Sequence, residues 1–148
     1  MSMLSRAISF ATEKHDNQHD KSGEPYILHV INVMMLTKSS DEAVRAAAIL
    51  HDTVEDTDAS WQDLEDIGMT EEVVEIVRAV TKQRGQTYAQ YQDAVFSNTK
   101  AMIVKLADLS HNSDLTRLKG VSEKDIARTV KYHKFAFEIQ ERLRRESI

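Results

Sequence analysis

Three blocks in this sequence carry side chains suited to hydrolytic or metal chemistry. They are Pro25-Tyr26-Ile27-Leu28-His29, His51-Asp52-Thr53-Val54-Glu55-Asp56-Thr57, and Lys105-Leu106-Ala107-Asp108 with Asn112 just beyond. His51-Asp52 closes an apolar run, so an imidazole and a carboxylate stand at the mouth of a core. An unpaired carboxylate is costly there and calls for a partner or a metal. By itself the dipeptide also suits a helix C-terminus, where a histidine complements the dipole and the aspartate is solvated. Glu55 and Asp56 follow four residues after His51 and Asp52. A continuous helix would stack these groups on one surface, where like charges repel without a cation; a solvated acidic helix end, with Asp58 following, gives the same pattern. Asp108 lies between apolar neighbours, on one helical stripe with Lys105 and Asn112. That spacing fits a site, and equally a plain Lys105–Asp108 pair on a solvated face. His29, one turn into an apolar helix, reads as a ligand or as a satisfied core histidine.

The elements that must position these groups read as helices. Apolar residues make up 41% of the 148, enough for one core, and one proline and four glycines leave long stretches free for helix. The length suits a single domain over 1–148. A first apolar stripe (Leu4, Ala7, Ile8, Ala11) ends near Lys14, and a polar loop runs from Asp16 to Pro25. A second helix spans about Tyr26 to Lys38, with Ile27, Ile31, Met34 and Met35 facing the core. Ser39 and Glu42 have capping-box spacing before the helix that carries Val44, Ala47, Ala48 and Leu50 into His51. Ser60 and Asp63 repeat the box before a short helix that Gly68 ends. Thr70 caps a helix to about Lys82 with Val73, Ile76, Val77 and Val80 on one face. Tyr88–Phe96 and Lys100 to about Leu115 follow. Ser122 and Asp125 open a last helix with Glu138–Arg142 and Glu141–Arg145 pairs. No segment reads as a strand. The expectation is an all-α, compact bundle of about seven or eight helices.

The order and spacing of the three blocks resemble the H…HD…D signature of HD-domain phosphohydrolases. The resemblance is closer to the hydrolase domain of the RelA/SpoT homologues and the stand-alone small alarmone hydrolases. It rests on Lys21-Ser22-Gly23-Glu24-Pro25-Tyr26-Ile27 with His29, on the HDTVEDT block from His51 to Thr57, and on Val104-Lys105-Leu106-Ala107-Asp108 with Asn112. A bare His-Asp pair is a weak signal; the extended block is specific. The resemblance implies an HD-type bundle with a metal site at its centre and hydrolysis of the 3′-pyrophosphate of (p)ppGpp, usually with Mn²⁺. It implies that His29, His51, Asp52 and Asp108 are the metal ligands. Glu55 and Asp56 match the acidic pair that positions or deprotonates the attacking water, and Lys21, Lys105 and Asn112 match positions near the substrate. Two imidazoles and two carboxylates suit Mn²⁺, Fe²⁺ or Zn²⁺, and the absence of thiolate weakens the case for structural zinc.

Two positions depart from the family pattern. Val30 follows His29 where proline is usual. Asp20 precedes Lys21 where relatives commonly carry an arginine able to stack on guanine, and a carboxylate does neither that nor phosphate pairing. Asp20 motivates an alternative substrate, a nucleoside monophosphate or NADPH; a non-catalytic nucleotide-binding HD module is a further alternative. Lys14 and His15 read as cations at a helix C-terminus. His111 reads as a group behind the ligands or as an exposed residue, and His133 as surface. Trp61 and Tyr132 read as core or interface anchors.

The net charge of −5 argues against broad nucleic-acid binding but not against a small phosphorylated ligand. Cysteine is absent, no apolar run reaches the roughly 18 residues of a membrane span, and the N-terminus lacks a secretory signal. These features agree with a cytoplasmic protein. The sequence specifies no oligomeric state, and a homodimer is compatible with it.

Overall fold

Seven of the nine residues in Glu42–Leu50 are buried, all but Glu42 and Arg45, and this segment is the axis of the molecule. The computed structural model describes residues 1–147. It forms helices α1 (Met3–Lys14), α2 (Tyr26–Leu36), α3 (Glu42–Leu50), α4 (Thr53–Asp56), α5 (Trp61–Asp66), α6 (Glu71–Val80), α7 (Tyr88–Phe96), α8 (Thr99–Asn112) and α9 (Glu123–Glu146), with a 3₁₀ turn at Leu115–Arg117. The described residues contain no strand, only an isolated bridge between His19 and Pro25.

Helices α1, α2, α6 and α8 pack around α3. Ala46, Ala47 and Ala48 are fully buried, and their small side chains let these neighbours approach closely. Ile49 and Leu50 supply bulk at the end that leads to the site, each contributing about 1.5–3 kcal/mol by burial. The apolar face of α6, Val73, Ile76, Val77 and Val80, is buried as its spacing predicts. Helix α9 lies against α8 and α7 and buries Phe135 and Ile139.

The departures from the sequence reading have local causes. Helix α3 is capped by Asp41, whose carboxylate accepts from the Val44 N–H, and not by Ser39. Helix α2 stops at Leu36 because Lys38 adopts a positive φ of 53°. Met35 is 66% exposed, so it does not join the core. Helix α8 ends at Asn112 and gives way to the 3₁₀ turn. Arg144, not Arg145, pairs with Glu141.

The break between α3 and α4 matters most. The His51 Nδ1–H donates to the Ala48 carbonyl at 2.6 Å, and the Thr53 hydroxyl to the Leu50 carbonyl at 2.7 Å. Asp52 sits between them at φ −104°, ψ 0°. The helix therefore does not run on from His51, and α4 is a separate single turn. This turn is the helix that a continuous reading merges with α3, which brings the count to nine among the described residues.

Candidate metal centre

Four elements converge beyond the end of α3. Helix α2 supplies His29, the last residue after α3 is His51, the junction supplies Asp52, and α8 supplies Asp108. The His29 Nε2 lies 3.1 Å from Asp108 Oδ1 and 3.5 Å from Asp52 Oδ2. The His51 Nε2 lies 3.0 Å from Asp52 Oδ2 and 3.2 Å from Asp108 Oδ1. One ligand atom from each of the four falls within 4.8 Å of the others. His29, His51 and Asp108 are buried and Asp52 nearly so.

Each ligand candidate has a partner that fixes its orientation. With the His51 Nδ1–H given to Ala48, its Nε2 faces the centre. The His29 Nδ1 lies 2.7 Å from the Nδ1 of His111, leaving its Nε2 for the centre as well. The Tyr26 hydroxyl donates to Asp52 Oδ2 at 2.5 Å. Lys105 donates to Asp108 Oδ2 at 2.8 Å, and the Asn112 amide to Asp108 Oδ1 at 3.0 Å. Two ring nitrogens and two carboxylate oxygens aimed at one point, with outer partners fixing their orientation, are the donor set of a first-row divalent cation.

The electrostatics agree. Burial opposes charging His29, yet hydrogen bonds to Asp108 and Asp52 raise its pKa above the ordinary value. Burial opposes charging His51 too, but Asp52 and Asp108 raise it well above. Burial alone would raise both aspartates; the Lys105 ammonium and His51 pull Asp108 well down, and His51 and His29 pull Asp52 down. The two aspartates thus favour positive charge at this centre.

Glu55 and Asp56 flank this cluster. With Asp52 they form a second group of carboxylates within 4.8 Å. Glu55 accepts the Lys82 backbone N–H at 2.8 Å. Although both side chains reach solvent, the protein packed around Asp56, with Asp52 and Glu55, raises its pKa to about 6. Glu55 is raised by the same packing and by Asp52.

A cleft of about 250 Å³ opens next to the cluster, lined among others by Lys21, Tyr26, Asn112, Arg117, Arg128 and Tyr132. Lys21 and Asn112, which the sequence suggests lie near substrate, both line this cleft. Lys105 does not line it: its ammonium is committed to Asp108 and sits 5.3 Å from the centre of the Tyr91 ring. Tyr132 lines the cleft as well as packing on the core. His15 is buried, with Nδ1 2.8 Å from the Gln18 side-chain oxygen and its ring 4.9 Å from that of Tyr26. Burial lowers its pKa, so it is not the solvated helix-end cation the sequence suggests. Tyr26, the partner of Asp52, lay in a recognised block without an assigned role. Arg117 and Arg128 lie outside all three blocks and carried no sequence signal.

The sequence profile of the HD domain family matches residues 7–132. The chain belongs to the HD-domain family. Individual relatives agree with this placement. Over 128 residues, 78% of this chain and 70% of the relative, the HD domain is 40% identical to a guanosine-3′,5′-bis(diphosphate) 3′-pyrophosphohydrolase of Danio rerio. It is 36% identical over 143 residues to a probable guanosine-3′,5′-bis(diphosphate) 3′-pyrophosphohydrolase of Synechocystis, of which it spans only 19%. A solved structure described as a metazoan ortholog of SpoT that hydrolyses ppGpp superposes with a TM-score of 0.76 at 30% identity, covering 97% of this chain and 86% of that one. The His51-Asp52 pair of this HD domain stands at the junction where all four candidate ligands meet. No helix among the described residues is long and apolar enough to cross a membrane.

Proposed function

We propose that this HD domain hydrolyses the 3′-pyrophosphate of guanosine-3′,5′-bis(diphosphate) with Mn²⁺ held by His29, His51, Asp52 and Asp108. The observation that carries this reading is the convergence of those four ligand atoms beside a second carboxylate group and an open cleft. The names of the relatives supply the substrate. A divalent cation in this setting supplies Lewis acidity, lowering the pKa of water and offsetting charge on phosphorus.

The chain's own residues do the rest. Asp52 is fixed by the Tyr26 hydroxyl and Asp108 by Lys105 and Asn112, so neither carboxylate must reorganise when substrate arrives. Glu55, tethered to the Lys82 N–H, orients the attacking water. Asp56, with a pKa near 6, accepts its proton; a base works best with a pKa near the operating pH. Lys21 makes no ion pair among the described residues and lines the cleft, so its ammonium is available to phosphate oxygens. The cleft, part polar and part aromatic through Tyr26 and Tyr132, takes the nucleoside.

The deciding experiment incubates Mn²⁺-loaded protein with ppGpp, NADPH and nucleoside monophosphates, scoring phosphate against pyrophosphate release. The expected result is pyrophosphate from ppGpp, abolished by chelator and by Asp52→Ala. Intact ppGpp beside cleavage of another member of the panel would overturn the substrate. No bound transition metal after loading would overturn the metal centre.

A further inference from the structure

The loop that carries Lys21 is held by an ion pair spanning 97 positions of sequence. Asp20 Oδ1 accepts from the Ser22 N–H at 2.9 Å, the Ser22 hydroxyl at 2.6 Å and the Glu24 N–H at 3.0 Å. Asp20 Oδ2 accepts from Arg117 Nη2 at 2.8 Å. The carboxylate is therefore saturated, and its side chain is only 11% exposed. It is not a bare negative charge facing a ligand, as the sequence alone suggests.

Arg117 is fixed at two points. Besides Asp20, its Nη1 donates to the His111 carbonyl at 2.8 Å, tying the 3₁₀ turn to the end of α8. A guanidinium has five N–H donors in a rigid plane. Two are used here, so three remain, and 23% of the side chain is exposed where it lines the cleft. The two other cations at the cleft differ in kind. Lys21 is a point charge suited to phosphate, and Arg128 is held by Asp125 on its own helix at 3.1 Å. Arg117 alone is anchored to both sides of the cleft mouth, presenting a planar fork at a fixed place. A fixed guanidinium reads the adjacent acceptors of guanine and finds no such pair on adenine.

We propose that Arg117 is the base-discriminating residue of this protein and that Asp20 is the positioning residue that aims it. This rests on the nucleotide reading above.

The test measures KM and kcat for pyrophosphate release from ppGpp and from its adenosine counterpart, using Mn²⁺-loaded full chain. The variants are Arg117→Gln, Asp20→Asn and the exchange Asp20→Arg with Arg117→Asp. Thermal melts and bound Mn²⁺ are recorded for each. Arg117→Gln should raise KM for ppGpp about tenfold and lower the guanosine-over-adenosine ratio of kcat/KM about tenfold, with kcat within about threefold. Asp20→Asn keeps the guanidinium but frees it, so it should shift both quantities in the same direction by less. The exchange variant, which restores an ion pair between the two walls and keeps one guanidinium at the cleft mouth, should recover part of the lost preference. An unchanged KM and unchanged base ratio in Arg117→Gln would overturn the inference alone. So would an exchange variant that recovers the melting temperature while its base ratio stays flat, since the pair would then be purely structural. A wild-type protein inert toward both nucleotides would overturn the proposed function and this inference together.

Discussion

The Nδ1 atoms of His29 and His111 lie 2.7 Å apart, with the rings stacked at 29° and their centroids 4.9 Å apart. Two ring nitrogens at that distance share one proton, so one donates and the other accepts. Burial, helped by Arg117 and His29, lowers the His111 pKa to about 4, which keeps it neutral near pH 7. His111 is thus the acceptor when His29 turns its Nε2 lone pair to a cation. His111→Ala should weaken Mn²⁺ binding about 10- to 100-fold, the usual effect of losing a partner behind a metal ligand. His111→Asn, whose side-chain oxygen replaces the lost acceptor, should retain most of the affinity. Chelator competition measures both; equal losses in the two variants would show that the acceptor is irrelevant.

Proton linkage at the cluster follows from the signs of the shifts. His29 and His51 have raised pKa values, so their contribution to stability is full below about 6.5 and is lost as pH rises through their folded values. Asp56 is also raised, to about 6, and its contribution fades between about 4 and 6. Both effects weaken the metal-free protein as pH rises. Asp52 and Asp108 are lowered, and their contribution disappears only in strong acid. The melting temperature of chelated protein should therefore fall between pH 6.5 and 8. The increment from added Mn²⁺ should grow over the same range, because the cation displaces protons from the imidazoles. Calorimetry in buffers of different ionisation enthalpy should find about one or two protons released per cation at pH 7. Proton-neutral binding would contradict the assignment.

How much of this was legible in the sequence depended on range. The caps of α5, α6, α7 and α9 are set by residues three apart, and Ser60, Thr70, Thr87 and Ser122 all accept the expected N–H. Thr87 forms a capping box with Gln90 on the same spacing. The α3–α4 break was hidden because side chains of His51 and Thr53 take carbonyls that a periodicity pattern assigns to the helix. The three blocks contain the residues that gather at the centre and, in Tyr26, Lys105 and Asn112, the partners of the two aspartates, but not which residues pair across distant sequence. His111 behind His29 and Arg117 against Asp20 are 82 and 97 residues apart in sequence. No local pattern encodes such pairs. The burial of His15 was missed for a similar reason: it depends on the loop from Asp16 to Pro25 folding back so that Tyr26 covers the ring.

Lys105 offers a test that separates stability from catalysis. Its side chain is 15% exposed, and its ammonium is paired with Asp108 at 2.8 Å and held well above its usual pKa despite burial because of that carboxylate. Removing one partner of a buried pair costs roughly 3–5 kcal/mol. Asn112 and the two histidines still face Asp108, so Lys105→Met should fall at the low end of that range in chelated protein. Mn²⁺ should recover much of the loss by supplying another positive charge. Urea melts with and without the metal check this. A loss that Mn²⁺ leaves untouched would mean that Lys105 acts through packing on Tyr91 rather than through Asp108.

Glu55 and Asp56 are adjacent acids with different environments, and the proposed division of labour between them can be tested. Burial raises the Glu55 pKa, with Asp52 adding to it; the Lys82 N–H at 2.8 Å works against this and fixes the direction of the carboxylate. Asp56 titrates near 6 because packing, Asp52 and Glu55 all oppose its charge. The acid that accepts a proton during turnover must be ionised beforehand, so activity should fall as pH drops through its pKa. A cation beside Asp52 lowers that value, placing the acidic limb of the rate profile at or below pH 6. Asp56→Asn should reduce kcat about 10²- to 10⁴-fold and abolish this limb in the residual activity. Glu55→Gln keeps the Lys82 contact through its amide oxygen and should retain the limb while lowering the rate. A pH–rate profile of the two variants decides the matter, since the limb vanishes with whichever residue is the base. Its loss in Glu55→Gln and survival in Asp56→Asn would reverse the two roles.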